Sequence, residues 1–226
     1  MQHYFITGTD TGVGKTFVTC ALLHTLKAQG IAAIGMKPIA AGGEMTPDGL
    51  LNEDVETLHV ASGVKLRSED LVCYLLSEPI APHIAAANED IDIDLDVIRQ
   101  RFDQLAELAD VVLVEGVGGF MVPLGESINT ADLAQDLDLP VILVVGMRLG
   151  CLNHALLTQE AILARGLTLA GWVANQIDPH MAELDANVEA LEERIRAPLL
   201  GVRRLPAAMR GSSAAEASLI AALREL

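Results

Sequence analysis

Aromatic side chains are scarce in this chain, at 3% of its residues, although 51% of the residues are hydrophobic. A core must therefore be built from Leu, Val, Ile and Ala, which suits packed sheets and helices better than an aromatic-lined binding module. Basic residues are also few: 15 Lys and Arg stand against 31 Asp and Glu, for a net charge of −16. That balance argues against nucleic acid or an anionic membrane as a partner. It leaves a nucleotide open, because a few local cations can hold a phosphate inside an acidic protein. The three cysteines, Cys20, Cys73 and Cys151, are far apart and odd in number, so neither a metal site nor a disulfide framework is expected from them. No apolar run approaches the ~18 residues of a membrane span. Residues 4–7 are too short for a signal peptide and run straight into a glycine loop, which predicts a cytoplasmic protein. A chain of 226 residues can bury one sizeable core, so residues 1–226 are expected to form a single domain.

Apolar runs then alternate with helical stretches. Strands are expected at residues 4–7, 33–38, 111–115, 141–145, 169–174 and 199–202, and helices at 16–29, 95–109, 153–165, 181–195 and 213–226. Val111-Val112-Leu113-Val114-Glu115 and residues 141–145 are continuous apolar runs, as in strands buried on both faces of a parallel sheet. The predicted fold is α/β, with a mostly parallel central sheet, helices on both faces and ligands at the carboxyl ends of the strands. Residues 41–52 are glycine-rich and polar and read as a surface loop.

The strongest local signal is Gly8-Thr9-Asp10-Thr11-Gly12-Val13-Gly14-Lys15-Thr16, placed between a strand and a helix. A phosphate loop requires that context. Its glycines let several N–H groups face one anion, and the helix N-terminus adds partial positive charge. Lys15 would reach the β- and γ-phosphates of ATP, and the Thr16 hydroxyl would ligate Mg2+. Five residues separate Gly8 from Gly14, where the usual pattern has four. Glu115 ends a buried strand and is followed by Gly116-Val117-Gly118-Gly119, which places a carboxylate at the sheet edge beside backbone able to approach a ligand. Asp54 stands just before a helical run, where a helix cap competes with a metal role. Asp10 has a similar choice between a metal and a turn. Lys37 closes a strand, and a buried lysine is costly unless it meets an anion, although a snorkelling surface lysine is the alternative.

Together these motifs resemble the dethiobiotin synthetase family. The similarity also takes in Lys37-Pro38, Asn52–Asp54, residues 78–83, and Leu149-Gly150-Cys151-Leu152-Asn153-His154, in the family's order up to about Gly201. The resemblance implies a P-loop NTPase-like homodimer that uses ATP, CO2 and 7,8-diaminononanoate. It implies Thr16, Asp54 and Glu115 as Mg2+ ligands, which moves Asp54 from cap to ligand. It implies Lys37, Lys15 and Thr11 as the groups acting on the carbamate and the phosphoryl group. Nucleotide contacts would come from Gly12, Val13, Gly14, Lys15, Thr16, Phe17, Asp54, Glu115, Gly116, Val117 and Gly118. Asn175 and Gln176 would face the base, with Arg204, Leu205 and Pro206 placed near it. The substrate would meet Lys37, Ala41 and Gly118. Its distant carboxylate would meet the helix start at Gly150, Cys151, Leu152 and Asn153, across the dimer interface. Relative to the family pattern, Ala41 replaces a serine and Gly12 a glutamate. Ala41 removes a hydroxyl that backbone or water must replace, whereas Gly12 keeps its N–H.

Three other readings share the phosphate loop. An amidotransferase-type ligase usually adds a glutaminase domain, for which 226 residues leave no room. A partitioning or assembly ATPase often carries a second lysine early in the loop, where this chain has Thr9–Gly12, and tends to have a membrane- or DNA-binding surface. A GTPase is suggested by Asn175-Gln176-Ile177-Asp178, a near miss of Asn-Lys-x-Asp with glutamine at the lysine position. An ordinary Asp-Pro turn explains the same residues.

Overall fold

The structure is a computed structural model that describes residues 2–47 and 49–205. Six strands form the central sheet in the order β10-β9-β8-β1-β7-β2, every neighbouring pair parallel. They are β1 (Tyr4–Gly8), β2 (Ala33–Met36), β7 (Val111–Glu115), β8 (Val141–Met147), β9 (Leu169–Gln176) and β10 (Leu199–Arg203). The continuous apolar runs have the meaning that period-two geometry gives them. Val112 and Val114 of β7 enter one apolar cluster with Phe5, Ile34 and Met36. Val111 and Leu113 enter a second with Ile6, Ala33 and Val18. Both faces of the strand are thus dry, and Val112 and Val114 are wholly inaccessible to solvent.

Register sets the chemistry. Ile6 lies opposite Glu115, and Met36 lies opposite Val114. The residue after Met36 is Lys37, so Lys37 and Glu115 reach the carboxyl edge of the sheet at the same level. The next residue, Pro38, cannot donate to a ladder. There the chain leaves the main sheet, and β3 (Ile39–Ala41) pairs instead with β6 (Tyr74–Leu76) in a separate two-stranded sheet.

Seven α-helices occur among the described residues. Helix α1 (Lys15–Ala28) follows the glycine loop. α2 (Glu53–Ala61), α3 (Pro82–Asn88) and α4 (Leu95–Ala106) lie between β3 and β7 in the chain. α5 (Thr130–Asp136), α6 (Cys151–Ala164) and α7 (Leu184–Glu192) follow β7, β8 and β9. The expected helices at 95–109 and 181–195 are shorter at their ends. The expected loop at 41–52 contains an antiparallel hairpin, β4 (Glu44–Thr46) with β5 (Gly49–Leu51). Its strands are three residues each and none of these residues is buried, so they carry no buried alternation that a sequence would display. The helix expected at 213–226 lies outside the described residues. No helix among the described residues is long and apolar enough to cross a membrane.

Candidate active site

The glycine loop runs from the end of β1 into α1 and is pinned from below. Val13 is 1% exposed and sits in the core, and Thr9 N–H donates to the Val144 carbonyl at 3.0 Å. Gly14 takes φ 86°, a left-handed conformation open to glycine. A Cβ there would also stand 2.1 Å from Asn175 Nδ2. Asp10 serves the turn: its Oδ1 accepts from Thr11 N–H at 2.8 Å, and its Oδ2 pairs with Arg148 at 2.7 Å. Lys15 is folded over the loop, donating to the Asp10 carbonyl at 3.3 Å. Burial, followed by repulsion from Lys37, lowers its pKa to about 8, against the opposing pull of Glu115, Asp54 and Asp10.

Three oxygens converge beside the loop. The Thr16 hydroxyl lies 2.8 Å from Asp54 Oδ1 and 2.8 Å from Glu115 Oε1. One hydroxyl hydrogen can serve only one of them at a time. The remaining compensation comes from Lys37, whose Nζ donates to Glu115 Oε1 at 2.6 Å and lies 3.2 Å from Asp54 Oδ2. Lys37 is 4% exposed. Burial opposes its charge, but Glu115 and Asp54 outweigh burial and raise its pKa above that of an ordinary lysine. For Asp54, burial works against ionisation, yet Lys37 and the Thr16 hydroxyl hold its carboxyl below the usual range. Asp54 is not the helix cap. Asn52 caps α2, its Oδ1 accepting from the Asp54 and Val55 N–H groups, which frees the Asp54 carboxylate.

This oxygen set fits Mg2+. The two 2.8 Å separations match the ~2.8–3.0 Å edge of an octahedron with Mg–O bonds of 2.0–2.1 Å. No group of three or more His, Cys, Asp or Glu side chains suited to a metal occurs among the described residues. A site of two carboxylates and one hydroxyl would leave the other positions to phosphate oxygens and water, as Mg2+ at nucleotide sites prefers.

Above these groups opens a cleft of about 690 Å³. It brings together Thr11, Gly12, Gly14, Lys15 and Thr16 of the loop with Lys37, Ala41, Asp54, Glu115, Val117 and Gly118. Gly118 has φ 65°, and a Cβ on it would stand 2.8 Å from a Val122 methyl. The segment from Pro79 to Pro82 also lines it. Gly116 packs behind the cleft, where a Cβ would meet the Phe5 ring at 3.1 Å.

Asn175 is fully buried at the carboxyl end of β9. Its Nδ2 donates to the Val13 carbonyl at 2.6 Å, and its Oδ1 accepts from Arg203 at 3.1 Å. Because one neighbour only accepts and the other only donates, the amide orientation is fixed. The Arg203 guanidinium stacks 4.0 Å above the Phe17 ring. Gln176 accepts from Leu205 N–H at 2.9 Å, and Arg204 pairs with Asp185. Pro206 lies outside the described residues. Gly150, with φ 96°, and Cys151, Leu152 and Asn153 open α6 and are not among the cleft-lining residues. Beside them Leu149 is 96% exposed and Leu157 is 62% exposed.

Three polar residues of this region were missed by sequence reasoning. Thr19 is fully buried and donates to Glu115 Oε2 at 2.8 Å; a threonine inside an apolar helix, three residues after Thr16, was the available signal. Arg203 gave none, because its partners are distant in sequence; Asn52 carries the local signal of a helix cap, but not its contacts to the Ala41 and Gly42 carbonyls.

A family model described as an AAA domain matches residues 2–207. The chain is 60% identical over 201 residues to the ATP-dependent dethiobiotin synthetase BioD of Aromatoleum aromaticum, covering 89% of each. It is 56% identical over 203 residues to the protein of the same name from Nitrosospira multiformis, covering 89% of this chain and 87% of that one. Among solved structures it is similar to the MinD cell division protein of Aquifex aeolicus, with a TM-score of 0.60 and 14% identity over 100% of this chain and 96% of that one. The cell division ATPase MinD of Pyrococcus furiosus gives a TM-score of 0.60 and 17% identity, covering 100% and 98%. At such identities these two likenesses show the fold alone, that of a P-loop NTPase.

Proposed function

The chain belongs to the ATP-dependent dethiobiotin synthetase family, and we propose that it closes the ureido ring of dethiobiotin from 7,8-diaminononanoate, CO2 and ATP. It is an ATP-dependent ligase that forms C–N bonds, and residues 1–226 act as one catalytic domain in the cytoplasm. The observation that carries the reading is the meeting of the phosphate loop, Lys37, Asp54 and Glu115 on the floor of one cleft. Neither nucleic acid nor membrane is a partner in this account.

One amine takes up CO2 as a carbamate. A carbamate oxygen attacks the γ-phosphorus, ADP departs, and a carbamic–phosphoric anhydride forms. The second amine attacks the anhydride carbon and expels phosphate, closing the ring. Little covalent work falls to the protein; positioning and charge compensation do the rest. Lys15 and the loop N–H groups, from Gly12 through Thr16, hold the phosphates. Lys37 stands between the carboxylates and the cleft, placed to follow negative charge from carbamate to phosphoryl oxygen. Thr11 closes the phosphate end. Mg2+ held by Thr16, Asp54 and Glu115 would neutralise charge on the β- and γ-phosphates. Gly116, Val117 and Gly118 offer backbone to nucleotide and diamine. Phe17, Asn175, Gln176, Arg204 and Leu205 form the base side. Ala41 borders the diamine, with backbone or water in place of a hydroxyl.

The substrate's far carboxylate is assigned to the helix start at Gly150, Cys151, Leu152 and Asn153 of a second subunit. Those residues lie apart from their own chain's cleft, and although the Cys151 N–H donates to the Arg148 carbonyl, the N–H groups that follow it at the helix start suit an anion. The exposed Leu149 and Leu157 beside them support a homodimer face. The test is phosphate release from Mg·ATP with each substrate omitted in turn. Turnover should need both the diamine and CO2 and yield the cyclic urea. Rapid release that ignores the diamine would overturn the reading and indicate a switch ATPase.

A further inference from the structure

The hairpin β4–β5 leaves the cleft at Ala41 and returns to it at Asn52, so its two ends meet at the active site. One side chain ties them. Asn52 Nδ2 donates to the Ala41 carbonyl at 3.3 Å and the Gly42 carbonyl at 3.4 Å, while its Oδ1 caps α2, the helix that presents Asp54. The backbone N–H groups of Gly42 and Gly43 are held from the other side by the Glu78 and Leu76 carbonyls. Asn52, with Asp54, also lies between two cavities. Both residues line the 690 Å³ cleft and a second space of about 500 Å³ beside the hairpin, rimmed by Glu44, Glu53 and Glu56.

We infer that Asn52 is a positioning residue that clasps the hairpin to the metal-bearing helix and keeps the water of the outer cavity from the reacting carbon. The inference rests on the proposed ring closure. The two donor contacts are long for N–H···O bonds, so the clasp is weak enough to release for substrate entry. When it is open, water competes with the second amine for the anhydride. Water adds to the carbon, the C–O(P) bond breaks, phosphate leaves, and the carbamate is regenerated. ATP is then spent without a ring.

Two substitutions keep the helix cap and remove the clasp. Asn52→Ser retains an acceptor for the cap but is too short to reach the strap. Asn52→Asp retains the acceptors and faces the two carbonyls with a third oxygen. The readout is phosphate released per cyclic urea formed. The ratio should be one in the unaltered enzyme and about two or more in both variants. A second readout is independent of the chemistry. Amide exchange over β4 and β5 should quicken about tenfold in both variants, the loss of one to two modest hydrogen bonds. Asn52→Ala, which also removes the cap, should in addition lower Tm by about 2–4 °C. A ratio of one with unchanged hairpin exchange in Asn52→Ser and Asn52→Asp would overturn the clasp. An unaltered enzyme that forms no cyclic urea would instead overturn the ring-closure reading, and the exchange measurement would still decide whether Asn52 holds the hairpin.

Discussion

Lys37→Met offers a direct view of how the site balances its charge. Lys37 Nζ is 2.6 Å from Glu115 Oε1 and 3.2 Å from Asp54 Oδ2, and Glu115 is wholly inaccessible to solvent. Methionine keeps the length and apolar stem and leaves no large cavity. What it removes is the only cation in hydrogen-bond contact with Glu115 among the described residues. Breaking a buried pair from one side costs about 3–5 kcal/mol. For a domain of this size each kcal/mol moves Tm by about 2–4 °C, so the variant should melt about 6–20 °C lower in EDTA. Because Glu115 and Asp54 overcome burial and raise the Lys37 pKa, the pair is intact throughout the neutral range. Its stabilisation is present below the ordinary lysine pKa and is lost only as pH rises through the raised value. Mg2+ with ADP should restore much of the lost Tm in the variant, because a divalent ion binding Asp54 and Glu115 supplies the missing charge. The assay is thermal unfolding at neutral pH in EDTA and in Mg·ADP. A variant that melts with the unaltered protein in EDTA would refute the charge argument. One that falls but gains no more from Mg·ADP than the unaltered protein does would refute the shared use of these carboxylates by lysine and metal.

Two further outcomes follow from the same geometry. Thr19→Val removes the donor on Glu115 Oε2 and should raise the Mg2+ concentration needed for nucleotide binding about tenfold, with Thr19→Ser near normal; equal Mg2+ titrations for all three proteins would count against this anchoring. Lys15, lowered to about 8 by burial and by Lys37, should take up a proton when phosphates bind and raise its pKa again. Nucleotide affinity should therefore fall as pH rises above about 8, and calorimetry at pH 8.5 in buffers of different ionisation heat should show uptake. Affinity that is flat from pH 7 to 9, with no uptake, would contradict the lowered value.

The parts of the fold that were legible in the sequence are those where one physical demand dominates. Residues 111–115 must be dry on both faces, and the run of Val and Leu says so. The glycine loop must turn and then open a helix, and Gly14-Lys15-Thr16 records both needs. Asp54 was ambiguous because a helix start and a metal site both favour aspartate; the structure gives the cap to Asn52 and leaves the Asp54 carboxylate to Thr16 and Lys37. The hairpin at 44–51 escaped notice because its short, exposed strands display no alternation. The displacement of β3 from the main sheet depends on Pro38 together with β6, whose partner strand lies about 35 residues away. The Thr19–Glu115, Asn52–Ala41 and Arg203–Asn175 contacts join residues that are distant in sequence, so no local pattern states the partner.

The central claim is that a carbamate oxygen, not water, attacks the γ-phosphorus, and one isotope measurement addresses it. The enzyme is given diaminononanoate, Mg·ATP and freshly dissolved C18O2, and phosphate is analysed before CO2 exchanges its oxygens with water. The anhydride route leaves the bridging carbamate oxygen on the departing phosphate. Each phosphate formed with dethiobiotin should therefore carry one 18O atom, at the enrichment of the CO2. Phosphate free of 18O, with its new oxygen drawn from solvent water, would contradict the account.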